Sequence, residues 1–232
     1  MSVLPIYLYG CDVLRARAKP VSALDDSLVR LIYDMFETMH KANGIGLAAT
    51  QVGDLRRVIV IDITAAMDEN EDGESGNPPK ESSEGVHSDF RTSLREKSEQ
   101  PPSEGPRTLV VIDPEIVSAE GSWMMEEGCL SIPEVRGEVE RAEHIRVKFR
   151  DANFNEVELS ANGLLGRVIL HEMDHLDGIL FIDHLSGAKK TLLKSKLNRI
   201  KKGEVDASYP VVTAQESGVT RKYFAKFRNV EA

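Results

Sequence analysis

The feature that most constrains the fold is a polar stretch in the first half of the chain, residues 65–107. It holds 11 acidic and 5 basic side chains, contributes −6 to the net charge of −9, and has scarcely an aliphatic residue. Such a composition buries too little apolar area to offset the entropy lost on ordering. We therefore predict that residues 65–107 are a flexible acidic insertion between two strands. The insertion interrupts a single domain of residues 1–203, and residues 204–232 form a C-terminal tail.

The overall composition excludes several classes of protein. An acidic chain with a pI of about 5.3 has no general attraction to DNA or to an anionic membrane. No apolar run reaches the roughly 18 residues of a membrane span, and the N-terminal MSVLPIYLYG lacks the basic start of a secretory signal. Because only two cysteines occur, we expect a cytoplasmic protein with free thiols.

Hydrophobic periodicity outside the insertion predicts a mixture of helices and strands. Apolar residues recur at helical spacing over residues 22–43 and from residue 164 through at least His175, and a glycine-rich turn is predicted over residues 44–54. Strands are predicted over residues 56–63 and 108–117, within 122–133 where a strand enters a turn, and as a hairpin over 138–163.

The second predicted helix contains HEMDH, residues 171–175. Positions i and i+4 share one face of a helix, so His171 and His175 can bind one ion, with Glu172 beside them as a possible general base. Asp174 is a candidate carboxylate to orient a ligand imidazole. Two histidines on a helix can also be purely structural, so this motif alone leaves the question open.

A hydrolytic metal site needs a third protein ligand. Phe181 stands where the downstream histidine of metzincin proteases would be, whereas Glu204 and Glu216 remain possible by spacing. Cys129, in EEGCLSIP, is the better upstream candidate, although a free cysteine is more often a small buried hydrophobe. We keep that plain interpretation for Cys11.

Three segments in this order, GIGLAATQ (44–51), EGCLS (127–131) and HEMDHLDG (171–178), resemble the signature motifs of the peptide deformylase family in its bacterial form. The resemblance extends over about residues 4–203, apart from the insertion, which is much longer than the connection usual in the family. Three motifs in order are far more specific than one.

The resemblance implies an α+β fold in which antiparallel β-sheets surround a central helix that carries the HExxH motif. It also implies that Cys129, His171 and His175 hold one divalent metal ion per chain, with a water molecule completing a tetrahedral site. Iron(II) is the expected metal in the cell, and zinc, nickel or cobalt could occupy the same ligands.

The resemblance further implies removal of the N-formyl group from formyl-methionyl nascent peptides, with release of formate. Metal-bound water would attack the formyl carbon, and Glu172 would act as general acid and base. Gln51 and the backbone N–H of Leu130 would stabilise the oxyanion.

Substrate-binding residues are expected near the motifs. Gly44 and Gly46 would let a peptide substrate approach the backbone and pair with it as an added strand. Ile45, Leu164 and Val168 are candidates for the pocket of the methionine side chain, and plain core packing is the alternative for these three.

The family pattern also suggests two supporting contacts around the ligands. Arg141 would pair with Asp174, and Glu127 would orient Gln51.

Residues 188–202 carry seven basic side chains and no acidic one. Leu193, Leu197 and Ile200 form an apolar stripe, so we predict an amphipathic helix ending near Gly203. This helix resembles the one with which bacterial deformylases dock on the ribosome, and contact with ribosomal RNA would suit its charge. The alternative is a solvated helix face packed on the domain by its leucines.

The sequence leaves two alternative functions open. A zincin-type endoprotease would not need the upstream Cys129, and this sequence lacks the third, downstream histidine of the metzincins. A non-catalytic binding protein with a structural metal would need neither Glu172 nor Gln51.

Overall fold

The computed structural model describes residues 2–71 and 105–216. The strands within them are β1 (Ile6–Tyr7), β2 (Gly46–Ala48), β3 (Val58–Asp62), β4 (Thr108–Glu120), β5 (Trp123–Cys129), β6 (Ile132–Arg141), β7 (His144–Arg150), β8 (Glu156–Asn162) and β9 (Val211–Val212). The helices are α1 (Asp26–Lys41), α2 (Thr64–Glu71), α3 (Gly163–Leu176) and α4 (Gly187–Lys201). Short 3-10 turns span Asp12–Arg15, Ala49–Val52 and Phe181–His184.

A five-stranded sheet runs in the order β2, β3, β4, β7, β8, and each neighbouring pair is antiparallel. In β7, buried Ile145, Val147 and Phe149 alternate with exposed polar residues, as a sheet with one covered face requires. Helix α3 covers that face and packs against β2, β3, β7 and β8. The fold is thus a mixture of helices and antiparallel sheet.

Two smaller strand pairs complete the architecture. β5 and β6 form an antiparallel hairpin whose register shifts between Gly128 and Cys129. β1 and β9 pair in parallel, whereas the family resemblance implied antiparallel sheets. The core comprises one apolar cluster between the large sheet and α3, a second beneath α1, and a third between β6 and α4.

Capping residues set the ends of the helices. The predicted helix over residues 22–43 begins later, at Asp26, because the Asp25 carboxylate accepts a hydrogen bond from the Leu28 N–H at 2.8 Å. Gly203 adopts a φ of +79° just after α4, as a helix-terminating glycine does, so this predicted stop is confirmed.

The structure adds detail in three segments for which the sequence predicted little regular structure. The glycine-rich segment 44–54 contains β2, because Leu47 and its neighbours pair with β3. Residues 64–71 are helical, and Ala66 is buried in the core although it falls in the predicted insertion. In the predicted tail, Tyr209 is buried in the core, and Val205, Ala207 and Val211 pack against it. The remainder of the predicted insertion, 72–104, and residues 217–232 lie outside the described residues.

In residues 2–71 and 105–216, no helix is long and apolar enough to cross a membrane.

Candidate active site

Three side chains that could bind a metal meet where the end of β5 approaches α3. His171 and His175 lie one turn apart on α3, and Cys129 is the last residue of β5. Their potential ligand atoms all lie within 4.8 Å of one another, with Cys129 Sγ 3.1 Å from His175 Nε2. A thiolate and two imidazoles are a donor set that zinc and iron accept. The cluster therefore fits a single transition-metal ion with room for further ligands.

Glu127 organises the charges behind these three residues. Its carboxylate accepts hydrogen bonds from Arg141 Nε at 2.6 Å, Arg141 Nη2 at 3.0 Å and Arg167 Nε at 3.0 Å. It also lies 2.9 Å from His171 Nδ1. Because a carboxylate accepts, Nδ1 of that imidazole carries a proton and donates a hydrogen bond to Glu127, so Nε2 is the nitrogen that can bind a metal once it is deprotonated.

The pKa shifts follow from this arrangement. Burial by itself raises the pKa of Glu127, but the hydrogen bond and charge of His171, with those of Arg141, outweigh it and lower the pKa well below its usual range. Burial lowers the pKa of His171, whereas its hydrogen bonds with Cys129 and Glu127 raise it well above the ordinary value. Glu127 thus increases the basicity of a potential ligand.

Glu172 is a buried carboxyl group with an unused oxygen. It is 4% exposed, and within the described residues its Oε2 has no hydrogen-bond partner. Burial raises the pKa of Glu172 to about 7, although the charge of His171 and the Ala48 N–H act in the opposite direction. A Cβ at position 46 would lie 2.6 Å from Glu172 Oε1, so Gly46 makes room for this carboxyl group.

Gln51 is fixed by short contacts in its own turn and across to β5. Its Oε1 accepts from the Ala48 N–H at 2.8 Å, and its Nε2 lies 3.3 Å from Ser131 Oγ and 3.6 Å from Cys129 Sγ. The neighbouring Thr50 donates to the His175 carbonyl at 3.1 Å, which ties this turn to α3. The amide N–H group of Gln51 is thereby held next to the potential ligands.

Of the two suggested supporting contacts, one is present and the other is wrong. Arg141 Nη1 donates to Asp174 Oδ2 at 2.8 Å. Glu127 does not orient Gln51, because its oxygens are taken up by the two arginines and His171. Asp174 does not contact a ligand imidazole either; it pairs with Arg141 and His184.

A cavity of about 550 Å³ opens beside the cluster. Gly44, Ile45, Gly46, Leu164 and Val168 all line it, as predicted for the substrate pocket. The three apolar members also belong to the core, as the core-packing alternative predicts, and their part in a methionine pocket stays a prediction. Further lining residues, which the sequence did not single out, are Met125, Val135, Arg167, Lys196, Asp206 and Tyr209.

The other candidate ligands lie elsewhere. Glu204 Oε2 lies 3.9 Å from Arg199 Nε, and Glu216 Oε2 accepts from the Thr213 N–H at 2.9 Å. Neither belongs to the metal-binding group found in the described residues. Cys11 is buried with its Sγ 3.4 Å from the Val212 carbonyl, in line with the plain interpretation of this thiol.

Sequence reasoning missed Arg167, which bonds Glu127 and the carbonyls of Trp123 and Met125. A signal was available, since a charged residue in the apolar run LLGRVIL has to be paired when its helix is buried.

A family model for polypeptide deformylase matches residues 3–191. The chain belongs to this family. It is therefore an enzyme of the class that removes the N-formyl group from nascent peptides in a metal-dependent hydrolysis.

Relatives extend over nearly the whole chain. The peptide deformylase of Salinibacter ruber is 45% identical and that of Chlorobium phaeobacteroides 39% identical; each match covers 94% of this chain, and 98% and 99% of those proteins, respectively. A deformylase structure from Legionella pneumophila superposes with a TM-score of 0.66 at 34% identity, covering 88% of this chain and 98% of that one. The Ehrlichia chaffeensis deformylase in complex with actinonin gives 0.67 at 30% identity, covering 89% and 100%.

Proposed function

We propose that this chain removes the formyl group from formyl-methionyl nascent peptides at the cluster of Cys129, His171 and His175. The observation that carries the proposal is the convergence of these three ligands with a buried, partly unpartnered Glu172 at the wall of one cavity. A purely structural metal site would need neither the carboxyl group nor the adjacent cavity.

Cys129, His171 and His175 would hold one divalent ion, with Glu127 fixing the tautomer of His171. When bound, the ion acts as a Lewis acid and makes water a nucleophile near neutral pH. We propose iron(II) in the cell on the basis of the family resemblance; the mixed thiolate and imidazole set could also bind zinc, nickel or cobalt. Metal analysis after anaerobic purification tests this choice, and stoichiometric zinc in place of iron would contradict it.

Glu172 would accept the proton of the attacking water and deliver it to the leaving amine. A buried carboxyl group beside the ligands, with Oε2 unpartnered within the described residues, is placed for both tasks. The Gln51 amide and the Leu130 N–H would donate hydrogen bonds to the oxyanion, and the contacts of Gln51 with Ala48 and Ser131 hold its amide in place beforehand.

The cavity would bind the methionine side chain of the substrate. Ile45, Leu164 and Val168 give it an apolar wall beside the ligands. Gly44 and Gly46 would leave the backbone of this segment accessible to an extended substrate, which could pair with it as an added strand.

The decisive experiment measures formate release from formyl-Met-Ala-Ser by metal-loaded protein and by its Glu172→Gln variant. Loss of the proton-transfer group should lower kcat by about 10²–10⁴, while metal content stays the same. Glu115→Gln, a change at an exposed carboxylate on β4 that does not line the cavity, is the matched control. Cleavage of an internal bond in an unformylated peptide, with no formate released, would instead support an endoprotease.

A further inference from the structure

The segment that follows α4 returns to the catalytic body. After Gly203 reverses the chain, β9 pairs in parallel with β1, and the Ile6 N–H donates to the Pro210 carbonyl at 2.9 Å. Tyr209, just before this strand, is 7% exposed and belongs to the apolar cluster beneath α1. Its ring is therefore held in one place by packing and by the pairing of the next residues.

The hydroxyl group of Tyr209 reaches the turn between β5 and β6. It donates a hydrogen bond to the Leu130 carbonyl, with an oxygen–oxygen distance of 2.8 Å. Leu130 directly follows the ligand Cys129, in a turn where the register of the hairpin shifts. A carbonyl at such a shift lacks a partner in the ladder, and the partly buried Leu130 carbonyl has one in Tyr209.

Other contacts fix the same turn at neighbouring points. The Tyr9 N–H donates to the Ser131 carbonyl at 2.8 Å, and Ser131 Oγ lies 3.3 Å from Gln51 Nε2. On the opposite side, a Cβ at position 44 would lie 2.8 Å from Leu130 Cδ1, so the Leu130 side chain fits closely against Gly44. With Tyr209 on its carbonyl, Leu130 is held at its side chain and at its backbone.

We propose that Tyr209 is a positioning residue for deformylation: by binding the Leu130 carbonyl it orients the backbone whose N–H stabilises the oxyanion. This inference rests on the proposed function, in which Leu130 supplies that N–H. Tyr209 does not touch the reacting atoms and acts through Leu130. The chain thus uses a residue beyond α4, outside the matched range 3–191, to complete the geometry of its site.

The test is Tyr209→Phe, which removes the hydroxyl group and keeps the buried ring. For formyl-Met-Ala-Ser we expect kcat to fall about ten-fold, with KM changed less than about three-fold, because an oriented transition-state donor is lost and ground-state binding is not. Val211→Ala is the matched control, since it weakens the packing of β9 and leaves the hydroxyl group in place. It should lower the melting temperature at unchanged kcat.

A second measurement does not depend on activity. In the zinc-loaded protein, the NMR shifts of the Leu130 carbonyl carbon and amide nitrogen should change in Tyr209→Phe and stay in place in Val211→Ala. Wild-type kcat in Tyr209→Phe, or an equal loss in Val211→Ala, would overturn the proposal. If wild-type protein releases no formate, the proposed function fails. If the Leu130 shifts are also unchanged in Tyr209→Phe, the positioning of Leu130 by Tyr209 is overturned as well.

Discussion

Glu127 balances the positive charges that lie behind the candidate ligands. It is 5% exposed and is the shared partner of Arg141, Arg167 and His171. Without its charge, two buried guanidinium groups would lose their main counterion, and such uncompensated burial is strongly unfavourable. The carboxylate therefore supports stability and metal binding at once.

We expect Glu127→Gln to lower the free energy of unfolding by about 3–5 kcal/mol and metal affinity by about 10–100-fold. Urea unfolding and zinc titration measure the two effects. Glu126→Gln, one position earlier and exposed, should change neither. Full stability in Glu127→Gln would mean that the arginines find other partners.

Gly46 leaves the space that the Glu172 carboxyl group occupies. In Gly46→Ala, the new methyl group would meet Glu172 Oε1 at 2.6 Å and Val168 Cγ1 at 2.7 Å, so the carboxyl group has to move. A displacement of this size should lower kcat/KM by about 10²-fold. Formate release measures the loss, and Gly187→Ala is the control because nothing lies within 4 Å of its Cβ.

At the scale of elements, local patterns were predicted well and long-range pairing was not. The helix carrying His171 and His175 follows from spacing within a few residues, and β3 follows from its β-branched run. The partners of Glu127 did not follow, because Arg141 and Arg167 are 14 and 40 residues away in sequence. Cys129 was a candidate from its position alone, but the family motifs were needed to favour it as a ligand, since a lone cysteine has no pattern of its own.

Helix α4 shows both features that its sequence indicated. Leu197 and Ile200 are buried against β6 and its neighbours, which gives the packed face. Lys189 pairs with Glu138 at 2.8 Å, and Lys190 Nζ donates to the Asp183 carbonyl at 2.7 Å. Part of the basic surface therefore has partners in the domain itself.

Lys194 and Lys201 are exposed on α4, and we propose that they contact ribosomal RNA. The double change Lys194→Glu and Lys201→Glu should abolish co-sedimentation with ribosomes, since phosphate contacts supply most of such affinity. Peptide deformylation in solution should persist. Arg30→Glu with Lys41→Glu, an equal charge change on exposed α1 positions, is the control. Unchanged co-sedimentation would exclude this role of α4.

At the scale of the whole molecule, the candidate site is built from both sides of the acidic insertion. Gln51 and Gly46 precede residues 72–104, and the three candidate ligands follow them. β3 and β4 pair over five residues from Val58 to Asp62, so the two parts share one sheet. The predicted site and ligands all lie outside the insertion.

Replacing residues 72–104 by a short flexible linker should therefore leave kcat/KM within about two-fold of the wild-type value, as loop length has a small entropic effect. Formate release and thermal unfolding of both proteins measure the outcome. The same linker replacement with Glu172→Gln added should be inactive and controls for contaminating enzyme. A large loss in the first variant would assign the insertion a part in catalysis.

The parallel pairing of β1 with β9 has a consequence for biosynthesis. Translation is vectorial, so the first strand emerges long before its partner, and Leu130 is synthesised before Tyr209. A nascent chain interrupted between α4 and Tyr209 would hold every candidate metal ligand and Glu172, yet lack the hydrogen bond to the Leu130 carbonyl. The enzyme would thus acquire its metal-binding residues early and its full catalytic geometry only with the last described strand.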